Sequence, residues 1–183
     1  EVNDQIYLIW VDQLSKAIWL KIFRFQEVVS KNDNEYLLCD TEPRQLTESI
    51  EINFDTSFVI SKNDLLYGLC EIKNRDYLFT LNLNKTKQEI CKIKEFDAFV
   101  GNLSSNISAN LFSWIEWNTS SMPWERNELF FANIDSDGKI QKIKKFSNKL
   151  INQRGNVSFF QPYWMSDNVL VCSEDSTGWW NLL

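Results

Sequence analysis

Any chemistry in this chain has to proceed without histidine, because its 183 residues contain none. That removes Ser-His-Asp and Cys-His nucleophile activation, and every imidazole-ligated metal site. The four cysteines, Cys39, Cys70, Cys91 and Cys172, lie far apart with no Cys-x-x-Cys pair, which predicts buried free thiols in a reducing compartment. Carboxylates are scattered through turns and strand ends rather than paired for acid–base work. The segment "NIDSDGKI" (133–140) places Asn133, Asp135, Asp137 and Gly138 at the first, third, fifth and sixth positions of a calcium loop. Its twelfth position is Lys144, where a bidentate Glu is required, so Asp137-Gly138 reads as a tight hairpin turn instead. Five separated glycines make no phosphate loop, and no Gly-x-Ser-x-Gly elbow is present. No catalytic residue, metal or cofactor is therefore expected within the chain. What remains is "WIEWNTSSMPWERNELFFANID" (114–135), a long insertion flanked by aromatics and pinned by Trp117 and Trp124.

The elements that would carry this insertion are strands. Apolar runs such as "QIYLIW" (5–10), "AIWLKIF" (17–23), "SFVI" (57–60), "LLYGLCEI" (65–72), "YLFTLNL" (77–83) and "NLFSWIEW" (110–117) alternate with Asn-, Asp- and Lys-rich turns. No window carries a sustained helical stripe, and Pro43, Pro123 and Pro162 read as lying between runs. The runs repeat. "DYLFTLNLN" (76–84), "NELFFANID" (127–135) and "TGWWNLL" (177–183) superpose with Leu78, Leu129 and Trp180 in register, 51 residues apart each time. Each is preceded by a strand of its own, and the first two are followed by "KQEICKI" (87–93) and "KIQKIKK" (139–145). A unit of about four strands recurring every 40 to 50 residues is the mark of a propeller blade. The expectation is an all-β partial β-propeller of about three to four blades, in units of roughly 1–50, 51–95, 96–149 and 150–183. On this reading Trp179-Trp180 belong to the third strand of a last blade whose edge partner is absent. An irregular sandwich ending on a buried strand is the alternative.

Composition narrows the partners. A net charge of -6 argues against nucleic acid, which needs a concentrated basic surface. The most basic stretch, "KIQKIKKFSNK" (139–149), reads as the wet face of an exposed edge strand. No run of 18 apolar residues is present and no charged-then-apolar leader precedes Glu1, so neither a membrane nor secretion is expected, and cytoplasmic localisation follows. A chain that starts without Met leaves its native N-terminus open.

Residues 96 to 183 resemble the propeller of the prolyl oligopeptidase family of serine peptidases, in its acylaminoacyl-peptidase and dipeptidyl-aminopeptidase-like branch. The segments that carry the resemblance are Trp114, Glu116 and Trp117 of a Trp-x-Glu-Trp strand, and Met122, Pro123, Trp124 and Glu125 of a Met-Pro-Trp-acid loop. Phe160, Gln161, Pro162 and Trp164 follow in a Phe-Gln-Pro-x-Trp strand, and Thr177 to Leu182 in a Thr-Gly-Trp-Trp-Asn-Leu strand. From 36 to 95 the similarity is blade-like only, with "EPRQLTE" (42–48) similar to a fourth strand, and before 36 it is weak. Two departures matter. "MSDN" (165–168) stands where the family has Ser-Pro-Asp-Gly, and Val157 stands where an acidic residue is usual before Phe-Gln-Pro.

The resemblance implies a propeller that covers a C-terminal α/β-hydrolase domain holding a Ser-Asp-His triad, and that admits only short peptides. No part of that domain is within these residues. The chain is thus expected to be a non-catalytic, substrate-gating fragment of a serine exopeptidase, inactive alone, whose partners are the absent hydrolase domain and peptide substrate. Relatives grip a peptide amino terminus with acidic groups on the propeller face. With that position lost at Val157, Glu125 is the candidate for the task, with Met122 and Trp124 as an apolar wall; a solvated surface acid is the alternative. Exposed blade edges would allow self-association. The alternative from another class is a stand-alone propeller-like scaffold that binds a protein partner.

Overall fold

The computed structural model describes residues 5–29, 34–48, 52–61, 63–106, 108, 110–147 and 155–183. Among these residues there are sixteen strands and no helix, arranged as four antiparallel sheets that follow one another along the chain. The first sheet holds β1 (Gln5–Val11), β2 (Ile18–Val29), β3 (Asn34–Asp40) and β4 (Arg44–Gln45), and the second β5 (Asn53–Phe54), β6 (Val59–Ile60), β7 (Leu65–Ile72), β8 (Arg75–Asn82) and β9 (Cys91–Glu95). The third runs β10 (Phe99–Ser105), β11 (Leu111–Trp117), β12 (Glu128–Ile134) and β13 (Ile140–Lys145) in spatial order, and the fourth β14 (Phe159–Ser166), β15 (Val169–Glu174) and β16 (Asn181–Leu182).

The sheets stack face to face because their middle strands are apolar on both faces. In β7, Leu66 and Cys70 face a core shared with Ile18, Leu20 and Leu46 of the first sheet. The alternate residues Tyr67 and Leu69 face Phe112 and Trp114 of the third. That is why "LLYGLC" reads as a continuous apolar run rather than an alternating one: period-2 geometry sends successive side chains to two different cores. β11 repeats the arrangement, with Phe112 and Trp114 towards the second sheet and Ile115 towards Val157, Phe159 and Cys172 of the fourth. Each fully buried Leu or Phe contributes about 1.5–3 kcal/mol. Polar bridges fix the stacking. Val100 N donates to Asp76 Oδ2 at 2.9 Å, and Trp164 Nε1 donates to Ser113 Oγ at 3.0 Å in a buried bond between the third and fourth sheets.

Three expectations need correction. Pro162 lies inside β14, not between runs. It is tolerated because the pairing of β14 with β15 slips between Phe160 and Tyr163, and a bulge asks for no ladder hydrogen bond from the ring nitrogen. Cys91 is an exposed free thiol at the start of edge strand β9, whereas Cys70 and Cys172 are buried. Burial pushes the Cys70 thiol up to about 12 and the Cys172 thiol up to about 11, so neither is a nucleophile at neutral pH. The Cys39 side chain lies outside the described residues, as do Asn148 and Lys149 of the basic stretch. Trp179 and Trp180 lie in the turn before β16, not within the third strand, and Trp180 is 52% exposed where its repeat partners Leu78 and Leu129 are 1% and 2% exposed.

The turn at 135–139 forms as read. Asp135 Oδ1 accepts from Asp137 N at 3.0 Å and Lys139 N at 2.9 Å, with Gly138 at φ 79°. Those backbone bonds hold the Asp135 carboxyl below the usual carboxylate range. β13 is the exposed edge strand that its lysine spacing predicts.

Candidate functional site

The insertion between β11 and β12 folds as a short self-capped loop. Glu125 N donates to Met122 O at 2.9 Å and Arg126 N to the same carbonyl at 3.2 Å, while Glu125 Oε2 accepts from Met122 N at 2.9 Å. A carboxylate that caps its own turn is held in place, and a carboxylate has lone pairs left for a second donor. Asn127 ties this loop to the next sheet, donating from Nδ2 to Pro123 O at 2.7 Å and to Phe159 O at 2.8 Å.

The three residues singled out in the sequence part company here. Met122 and Trp124 are 53% and 64% exposed, and Glu125 is also exposed. Of the three, only Trp124 lines a cleft of about 450 Å³, together with Asn102, Ile115, Trp117, Pro123, Phe160, Ser173 and Trp180. Val157 is buried in the core between the third and fourth sheets. A carboxylate there would have to be desolvated against Ile115 and Leu129.

The cleft explains residues that sequence reasoning assigned to packing. Trp114 and Trp117 share one motif but take opposite faces of β11. Trp114 is 1% exposed, stacks on Phe130 at 6.2 Å and donates its indole N–H to Glu116 Oε1 at 2.7 Å. Trp117 instead leans on Phe99 at 5.9 Å and reaches the cleft. Trp180 is placed by the turn before it, where Gly178 at φ 86° closes a bond from its N–H to Asp175 O at 2.8 Å. Its ring then meets Phe160 edge-on at 6.3 Å. Asn102 was missed altogether as a site residue, since an asparagine's tolerance of the left-handed region does not say which cleft it lines.

No protein-family model matches the sequence, and no curated protein matches it. Solved structures do match it. A puromycin-hydrolyzing peptidase from Mycobacterium tuberculosis superposes with a TM-score of 0.63 at 14% identity, and a puromycin hydrolase with a TM-score of 0.66 at 16% identity. Each match covers 100% of this chain and 36% of the other. The fold is that of a partial β-propeller. The four sheets are blades, and the chain spans little more than a third of the peptidases whose propeller part it matches. In blade terms, β10 and β14 are first strands of neighbouring blades and lie in contact. Loop 118–127 and the 175–180 turn are second-to-third-strand connections of those same two blades. The cleft therefore sits where two blades meet at one end of the strands.

Proposed function

We propose that this chain is the non-catalytic, substrate-gating propeller part of a serine exopeptidase that acts on short peptides, of the acylaminoacyl or dipeptidyl-peptidase kind. One observation carries the reading. The four motif segments that resemble such peptidases each send a residue to one cleft: Trp117, Trp124, Phe160 and Trp180. Packing alone does not ask four separate aromatic segments to converge on a partly open surface, because an exposed ring gives up most of its burial energy.

In this reading the units 1–50, 51–95, 96–149 and 150–183 act as blades of a larger propeller, and an α/β-hydrolase domain of the same protein supplies the nucleophile and its base. The propeller contributes a restricted entrance. Its loop 118–127 presents Glu125 to a substrate ammonium, with Met122 and Trp124 excluding water beside it, so that the charge pair is strengthened. A cytoplasmic location fits the free thiols. No helix of the described residues is long and apolar enough to cross a membrane.

The decisive test is the reading frame beyond Leu183. Continuation into a Gly-x-Ser-x-Gly elbow followed by Asp and His is expected, together with no serine-inhibitor-sensitive turnover by the 183-residue chain alone. A frame that lacks the elbow while the chain captures a protein partner would favour the stand-alone scaffold.

A further inference from the structure

The lining of the cleft has one feature that ring packing does not account for. Asn102 sits in the left-handed region at φ 56°, at a slip in the β10–β11 pairing between Gly101 and Ser104. Asparagine is the non-glycine residue that takes this conformation most readily, and a bulge is the device by which a strand re-aims a side chain. The device recurs on the neighbouring blade. Gln161, next to the lining residue Phe160, has φ 51° at the slip between Phe160 and Tyr163 of β14. Two first strands in contact thus carry the same bulge, each with a carboxamide residue at the left-handed position. Among the described residues neither carboxamide has a hydrogen-bond partner.

We propose that this cleft binds an aromatic side chain of a neutral peptide segment, with the Asn102 carboxamide hydrogen-bonded to the adjoining peptide amide. The cleft volume of about 450 Å³ lies within the range of small-ligand sites, which are mostly apolar with a few orienting polar groups. Its lining contains no charged side chain, so the complementary group is uncharged. The carboxylate of a free amino acid would be desolvated there without a counter-ion, on a chain of net charge -6. Ring faces and edges select an aromatic guest over an aliphatic one of equal area, as the Phe160–Trp180 pair already does within the wall. A primary carboxamide both donates and accepts, which matches a peptide unit. The choice of a peptide as ligand rests on the peptidase reading above; the aromatic selectivity and the part of Asn102 do not.

The test is titration of the 183-residue chain with N-acetyl-phenylalaninamide, N-acetyl-leucinamide and N-acetyl-glycinamide, read by indole N–H shifts in NMR. Saturable binding of the phenylalanine amide is expected, with the leucine amide roughly threefold to tenfold weaker, the range of one or two lost aromatic pairs. Trp124→Ala, at a 64% exposed residue that leaves the cores intact, should weaken binding about tenfold or more. Asn102→Gly keeps the left-handed backbone while deleting the carboxamide, and should weaken it roughly fivefold. Leu14→Ala, at a 95% exposed apolar residue away from the cleft lining, should change nothing. Equal affinity for all three amides, no saturable binding, or unchanged affinity in both Trp124→Ala and Asn102→Gly would overturn the proposal. The reading frame has no bearing on this titration, so the two readings fail separately.

Discussion

Asn127 and Phe159 are joined by a closed pair of hydrogen bonds. The Asn127 amide donates to the Phe159 carbonyl at 2.8 Å, and its own oxygen accepts from the Phe159 N–H at 2.8 Å. Both residues are buried, at 4% and 6% exposure, and one side chain thereby stands in for a strand between the third and fourth blades. Asn127→Ala leaves the Phe159 N–H and C=O and the Pro123 C=O without their protein partner. The expected loss is about 2–4 kcal/mol, measured by urea unfolding. A loss under about 0.5 kcal/mol would mean that the pair is ornamental.

Gly68 is where the second blade lets two rings approach its backbone. A Cβ there would lie 2.7 Å from Phe79 Cζ and 2.9 Å from Phe58 Cδ1, and the Phe79 ring is fully buried. Gly68→Ala should cost about 1–3 kcal/mol as overpacking. Gly101→Ala makes the contrast, since its Cβ would come no closer than 3.4 Å, to the Trp117 ring, and should cost under about 1 kcal/mol. Thermal unfolding of the two variants side by side checks the order.

Asp76 bridges two blades through Val100 N, and burial pushes its carboxyl above the usual range, with Glu71 and Asp55 adding to the shift against that backbone bond. A carboxyl whose pKa is higher folded than unfolded binds its proton more tightly when folded. Its penalty is therefore complete above the folded pKa and is relieved as pH falls towards the unfolded value. Asp76→Asn keeps an acceptor for Val100 and removes the charge. The variant should melt higher than the parent at pH 7, and the gap should narrow at pH 4. A gap equal at both pH values would contradict the assignment.

Glu125 is tested in the full-length protein. Glu125→Gln still offers an acceptor to Met122 N, so the loop is retained. The Michaelis constant for peptides with a free amino terminus should rise roughly tenfold, the loss of one charge-assisted bond. Acylated peptides should be nearly unaffected. Equal effects on the two substrate classes, or none, would remove Glu125 from the site.

The outer faces of the end blades predict association of the 183-residue chain. Tyr163, Met165 and Leu182 are 67%, 64% and 81% exposed at one end of the stack, and Ile6 and Leu8 are 40% and 50% exposed at the other. The apolar residues between neighbouring blades instead pack into buried clusters. Sedimentation at rising concentration should show dimers or larger species, reduced by Tyr163→Glu. A strict monomer at every concentration would refute this.

The sequence by itself determined the strands and their stacking. "LLYGLCEI" and "NLFSWIEW" carry apolar residues on both faces, a local pattern that has one inexpensive outcome, a strand buried between two sheets. The Leu78 and Leu129 repeat and the Asp137-Gly138 turn were legible for the same reason: each is a short-range preference of the chain itself. The site was legible only in part. Trp124 and its motif neighbours could be quoted, but their convergence depends on residues some 60 positions apart meeting across a blade interface. Asn102 and Gln161 show the limit most plainly. Asparagine tolerates a left-handed backbone, but neither residue says that one is used at its position; the slip in strand pairing places them there. Tertiary structure alone decided which of Trp114 and Trp117 is core and which lines a cleft. The two indoles are chemically identical, and an odd spacing along a strand sends them to opposite faces.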